Sequence, residues 1–222
     1  MKLKEYFRQL KIDLEPMTFR EKVDHIWSYN KELFIIVAAF AIIIIGLLVT
    51  FLNKPDVMFC GFVVNTELSE EGTAYLTDDY CSVLGGTGKQ EVQLLTGIFN
   101  TTLNSAGEAS KATRDKIMAF ISDGSLDYIM GDKVTMEELV GADICLDLRS
   151  FFSQKELAQW QSELLIGKTE DNEEIAYAVN ISGTDFAKDC VSNNKELYIC
   201  FIANTKQIDR CHDFWNYILN WK

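Results

Sequence analysis

The chain has 222 residues and a formal net charge of −12 at pH 7. A phosphate backbone demands a basic surface, so this composition argues against a nucleic-acid partner. All six cysteines, Cys60, Cys81, Cys145, Cys190, Cys200 and Cys211, fall in the later part of the chain, and only two prolines occur anywhere.

Residues 1–32 form a short head. It carries Lys2, Lys4, Arg8, Lys11, Arg20, Lys22 and Lys31, balanced by six acids. Thr18 followed by Glu21 has the capping-box spacing, and it predicts a helix through Val23, Ile26, Trp27 and Asn30. Trp27 and Tyr29 sit where aromatic residues favour a lipid–water boundary. Thirty-two residues are too few for a catalytic domain, and docking of a cytoplasmic partner is the functional alternative for this segment.

Residues 33–52 (LFIIVAAFAIIIIGLLVTFL) contain no charge. As a helix they span about 30 Å, the hydrocarbon thickness of a bilayer. The expectation is a single transmembrane helix in contact with lipid, since lipid offers no partner to free backbone groups and only a helix crosses it as a lone segment. Basic residues cluster before it, and only Lys54 follows closely, which predicts a cytoplasmic amino terminus and an extracellular carboxyl-terminal domain at a cell membrane. A cleaved signal peptide is disfavoured by the long head, by the length of the apolar run and by the lack of a small-x-small site after Thr50. Phe59 is too bulky to precede a lipoprotein cysteine at Cys60.

Residues 56–222 are long enough for one globular domain. Of the 21 basic and 33 acidic residues in the chain, 14 and 27 follow the apolar run (Lys54 included), a net charge near −13. An even number of cysteines confined to one side is what disulfides would leave. Equally, Cys60, Cys145 and Cys200 lie in apolar runs, where a free cysteine is a small core residue. No pair has CxxC spacing, which disfavours a zinc ribbon.

Asp56–Val64 (DVMFCGFVV) reads as a buried strand. Thr66–Lys89 resists assignment. Gln90–Asn104 places Val92, Leu94, Leu95, Ile98, Phe99 and Leu103 mostly on one helical face, so a helix is expected there. Ser110–Ser122 is a second helix stopped by Gly124. Leu126–Met130 is a strand, Met136–Val140 a short helix, and Ile144–Leu148 a strand or extended segment. Ser153–Leu164 is a helix with a capping box at Ser153 and Glu156. Glu174–Ile181 alternates as a strand does, and Leu197–Ala203 is a strand buried on both faces. From Thr205 a final amphipathic helix carries Ile208, Cys211, Trp215, Ile218 and Leu219 on one side. Strands alternating with helices give an α/β domain of three-layer type.

The order within 117–148 is distinctive. A helix ends in Ser122-Asp123-Gly124-Ser125. The strand Leu126-Asp127-Tyr128-Ile129-Met130 follows and ends at Gly131-Asp132. A short helix then leads to Gly141-Ala142-Asp143-Ile144-Cys145-Leu146-Asp147-Leu148 and another helix. This order resembles the extracellular solute-binding proteins of bacterial ABC importers. Glu174–Ile181 is similar to that family's next strand, and Leu197–Trp221 to its return strand and helix. The resemblance covers about half the chain. Only 15 residues separate Ile181 from Leu197, where the family inserts its second lobe. The resemblance therefore implies one lobe, unable to close alone on a small solute. No residue-level ligand motif carries over, so no ligand-binding residue is assigned.

The chain carries few residue patterns of known chemistry. Leu84-Gly85-Gly86-Thr87-Gly88-Lys89-Gln90 lacks the first glycine and the final hydroxyl of a phosphate loop and reads as a turn. Ser192 and Lys195 have Ser-x-x-Lys spacing but sit in a polar stretch. Cys211 and His212 are adjacent on a helix and point about 100° apart, which does not build a dyad. Asp78, Asp79, Asp123, Asp127, Asp132, Asp143 and Asp147 are the pool from which a carboxylate pair would be drawn. Glu170-Asp171-Asn172-Glu173-Glu174 lacks the glycine and alternation of a calcium loop. The expectation is therefore a non-catalytic binding or sensing module at a bacterial cell surface, without catalytic, cofactor or metal residues, meeting a small solute or peptide. The alternative is an accessory or structural subunit of a membrane transporter or signalling complex. For that role Ala38, Ala39, Ala41 and Gly46 allow close helix approach to a membrane-protein partner.

Overall fold

Helix α1 (Phe19–Leu52) is one continuous 34-residue rod in the computed structural model, which describes residues 18–98, 108–192 and 196–221 together with Arg8, Ile12 and Pro16. It starts as the spacing predicts. The Glu21 carboxylate accepts from the Thr18 N–H at 2.8 Å and from the Thr18 hydroxyl at 2.7 Å. Its stretch Phe34–Leu52 is long and apolar enough to cross a membrane, and none of it is buried. The hydroxyl of Thr50 donates to the Gly46 carbonyl at 3.0 Å, hiding the one polar side chain inside this stretch. Asn53 N–H caps the helix on Val49 O, and Pro55 prevents its continuation.

The residues from Pro55 onward form a separate compact unit built on one six-stranded sheet. Its strands are β1 (Asp56–Val64), β2 (Gln90–Gly97), β3 (Tyr128–Gly131), β4 (Leu164–Lys168), β5 (Glu174–Asn180) and β6 (Tyr198–Phe201), in the spatial order β2-β1-β3-β6-β5-β4. The first three are parallel, and β6, β5 and β4 add antiparallel. The final six residues of β1 are all buried, as a strand with neighbours on both sides and helices on both faces must be.

Alternation along β1 creates the two faces. Phe59 and Val63 enter one core, and Cys60, Phe62 and Val64 the other. The first core is covered by α2 (Glu70–Ala74), a wide π turn (Tyr75–Asp79) and α3 (Tyr80–Val83), together with the short α6 (Leu148–Phe151), α8 (Asp185–Cys190) and α9 (Ile208–Leu219). It is strongly aromatic: Phe59, Tyr80, Tyr128 and Phe214 meet with ring centroids 4.3–5.5 Å apart. Gly61 lies under the Tyr128 ring, where any Cβ would overlap it. The second core is covered by α4 (Glu108–Asp123) and α5 (Lys133–Val140), with Ile117, Met136 and Leu139 buried. Helix, sheet and helix thus form three layers.

Several expectations are corrected. Residues 90–97 are strand β2 and not the start of a helix; residues 99–104 lie outside the described set. The apolar spacing fits both periods. Pairing with β1 from Asp56↔Gln90 to Val64↔Gly97 decides the matter, sending Val92 and Leu94 to one face and Leu95 to the other. The helix from Ser153 ends at Trp160 as α7 (Gln154–Trp160), and Leu164–Lys168 becomes edge strand β4. The unassigned stretch after Thr66 holds α2, the π turn and α3, and the supposed gap after Ile181 holds α8. All six cysteines are free thiols. Five are buried as small core residues, and burial pushes the thiols of Cys60 and Cys211 up to about 12.

Candidate functional site

The connection leaving β1 runs to α2 on one face of the sheet, whereas the connection leaving β3 runs to α5 on the other. Two adjacent parallel strands whose chains depart to opposite faces leave a crevice beyond their carboxyl ends, the place where open α/β sheets take ligands. In this sheet that position falls between the residues that follow Val64 and those that follow Gly131.

Three polar side chains meet there. Asn65 adopts a left-handed backbone (φ 56°), which turns the chain sharply off β1. Its Nδ2 donates to Asp132 Oδ2 at 3.2 Å and to Thr135 Oγ1 at 3.1 Å. Asp132 caps α5: its Oδ1 accepts from the Thr135 N–H at 2.9 Å and from the Thr135 hydroxyl at 2.5 Å. Gly131 permits the approach, since a Cβ there would sit 3.0 Å from the Val64 carbonyl oxygen. The Asn65 N–H donates to Gly97 O, and the next N–H after β2, that of Ile98, donates to Thr113 Oγ1. Thr66 Oγ1 is buried without a hydrogen-bond partner among the described residues. Ile98 (64% exposed) and Val134 (47% exposed) place apolar side chains at the ends of β2 and β3.

The same edge continues at β5. Asn180 Oδ1 accepts from the Ser182 N–H and hydroxyl at 2.9 and 2.6 Å, and the Ser182 hydroxyl oxygen accepts from the Leu197 N–H at 2.8 Å. Amide, carboxylate and hydroxyl groups framed by aliphatic side chains suit hydrogen bonding to a polar solute or a peptide backbone. Thr135 is fully buried and its hydroxyl is engaged by Asp132, so it is not presented as a nucleophile.

The acids singled out from the sequence are dispersed over separate structural duties. Asp127 precedes β3 and Asp132 follows it, so they occupy opposite ends of one strand. Asp127 is 3% exposed and accepts from the Cys60 N–H and the Thr205 hydroxyl. Burial raises its pKa, and these bonds with nearby Arg210 offset only part of the rise. Asp143 accepts from the Glu170 N–H. Asp147 accepts from the N–H groups of Arg149 and Ala176, standing in for a missing strand neighbour beside β5. Burial pushes its carboxyl up, but the bonds from Arg149 and Ala176 outweigh that and hold it below its ordinary value.

Leu84–Lys89 is a turn into β2, pinned by the Thr87 N–H and hydroxyl on Gln90 Oε1. Cys211 is buried with its thiol toward Asp127 O, while His212 stacks on Phe151 with centroids 3.9 Å apart, so the two neighbours diverge. Lys195 lies outside the described residues. Among the described residues no group of three or more His, Cys, Asp or Glu is arranged to hold a metal ion.

Of these residues, only Asp132 belongs to the carboxylates that the sequence singles out. Asn65 carried a usable signal, an asparagine directly after an apolar strand, where a left-handed residue commonly ends it. Thr135 carried none, because its importance depends on α5 lying beside β1. Comparison with family models, with characterised proteins and with solved structures finds no match to this chain.

Proposed function

We propose that this chain is a single-pass membrane protein whose α/β domain is a non-catalytic binding or sensing module on the outer side of a bacterial cell membrane, akin to one lobe of a solute-binding protein. The observation that carries the reading is the polar cluster at the carboxyl ends of β1 and β3, where Asn65 and Asp132 converge near exposed Ile98 and Val134. Further support comes from the run of basic residues before the apolar helix and from the return strand β6 and helix α9 that complete the domain, in the order the resemblance implies. The ligand class that fits is a small polar solute or a peptide.

The test is thermal unfolding of the full chain in detergent micelles against sugars, amino acids, peptides and cations. A ligand at a hundredfold excess over its dissociation constant stabilises by about 2.7 kcal/mol. The expected result is a raised midpoint with one class, lost in Asn65→Ala. A flat screen removes the solute-sensing role. Orientation is tested separately. A membrane-impermeant maleimide should label Cys81, the cysteine left partly exposed, in intact cells, and labelling only after lysis would reverse the assignment.

The second reading is an accessory subunit of a transporter or signalling complex. It draws on α1, where Gly46 has open space around its Cα and Ala38, Ala39 and Ala41 precede it on the exposed apolar stretch. It predicts co-purification with another membrane protein and no response to small molecules.

A further inference from the structure

We infer that strand β4 is a self-complementary edge through which two copies of this chain join their sheets. β4 is the last strand of the sheet, and β5 is its one ladder partner among the described residues. The ladder dictates which backbone groups point outward. Asn180 N–H donates to Glu163 O at one end, and Thr169 N–H donates to Glu173 O at the other. In an antiparallel pair these two bonds turn the N–H and C=O of Leu165 and Gly167 toward β5. Leu164, Ile166 and Lys168 therefore present theirs to the outside. The extra residue of β5, a bulge between the partners of Leu165 and Ile166, keeps this alternation in step along the whole strand.

The outward set is symmetric about Ile166. A two-fold axis at that residue sets Ile166 against its copy, and Leu164 against Lys168 of the copy, as hydrogen-bonded pairs. Every outward N–H then meets an outward carbonyl. A one-residue slip would leave them mismatched. The side chains agree with that register. Ile166 is 53% exposed, an aliphatic group on an open strand, and it would cover itself at the axis. Lys168 falls opposite Leu164 of the copy, and the acidic Glu170-Asp171 turn meets the uncharged Gln161-Ser162, so the register sets no like charges directly opposite each other. A five-residue edge is less than the standard area of a stable complex. Confinement of both copies to one membrane supplies the effective concentration that a small contact needs. The opposite edge is less open, because the thiol of Cys81 donates to Gln90 O where β2 begins.

The experiment uses the full chain in native membranes, in a Cys81→Ser background. Ile166→Cys, treated with copper phenanthroline, should give at least tenfold more covalent dimer than Val83→Cys, an exposed control elsewhere on the domain. Ile166→Pro deletes the outward N–H at the axis and spares the bonds that Leu165 and Gly167 make to β5. By light scattering in micelles it should lower the dimer fraction at least tenfold without moving the unfolding midpoint of the monomer. Ile166→Glu, on an exposed side chain, sets two carboxylates against each other at the axis and should weaken the dimer even if the proline variant fails to fold. Equal cross-linking at both cysteine positions, a monomeric full chain, or a dimer untouched by Ile166→Glu would overturn the inference. The last outcome would place self-association on α1.

Discussion

Individual residues in this protein are explained by what crowds them. Gly61 is glycine because Tyr128 lies flat on its backbone in the neighbouring strand. Gly61→Ala should destabilise by about 3 kcal/mol in denaturant unfolding, and Tyr128→Leu in the same chain should recover part of that loss. Asn65 combines two roles that substitution separates. Asn65→Gly keeps the left-handed turn and loses the bonds to Asp132 and Thr135, costing about 1–2 kcal/mol. Asn65→Ala also pays about 1 kcal/mol for the left-handed backbone. If the two variants are equally stable, the backbone conformation at Asn65 is not strained.

At the scale of elements, the π turn between α2 and α3 has a visible cause. Tyr75 and Tyr217 stack with centroids 4.2 Å apart, and each hydroxyl donates to the other's carbonyl, at 2.8 and 3.1 Å. The wide turn leaves room for the Tyr217 hydroxyl to share Tyr75 O with the Tyr80 N–H. Tyr217→Phe should cost about 1 kcal/mol, and a double-mutant cycle with Tyr75→Phe should be non-additive, since both remove parts of one clasp. Sequence patterns read well where they were long or capped. The apolar stretch of α1, the buried run of β1, the box at Ser153–Glu156 and the amphipathic α9 all stand where local chemistry placed them. They failed where distant pairing decided. Gln90–Gly97 suits a helix in isolation and becomes a strand because β1 offers a ladder. The Ser69 cap of α2 was in plain view, its hydroxyl accepting from the Gly72 N–H, yet Gly72 itself disguised the helix. The crevice was least legible, since Asn65 and Thr135 are 70 positions apart.

For the whole molecule, two carboxylates set opposing responses to acid. Asp147 has a folded pKa below its unfolded value of about 3.9. Its contribution is present above that value and is lost as pH falls through the folded one. Asp127 is raised, so it favours the fold most below about 3.9, and that contribution is lost as pH rises through its folded value. Stability measured from about pH 2 to pH 7 should flatten on the acid side in Asp147→Asn, and Asp127→Asn should remove the opposite slope. If neither curve changes, neither group is linked to folding. Thiol titration offers a check on the core: the native chain should expose Cys81 to rapid modification, and denaturation should release the five buried thiols.

The position of β1 also governs how the chain comes to be made. It is the first strand to leave the ribosome, yet it sits inside the sheet, with Gly61 paired to Tyr128, 67 residues later. At ordinary elongation rates roughly 3 to 13 seconds pass before that neighbour exists. For that interval the most oily strand of the domain has no companion on one flank, so chaperone capture and aggregation of truncated nascent chains should concentrate on residues 57–64.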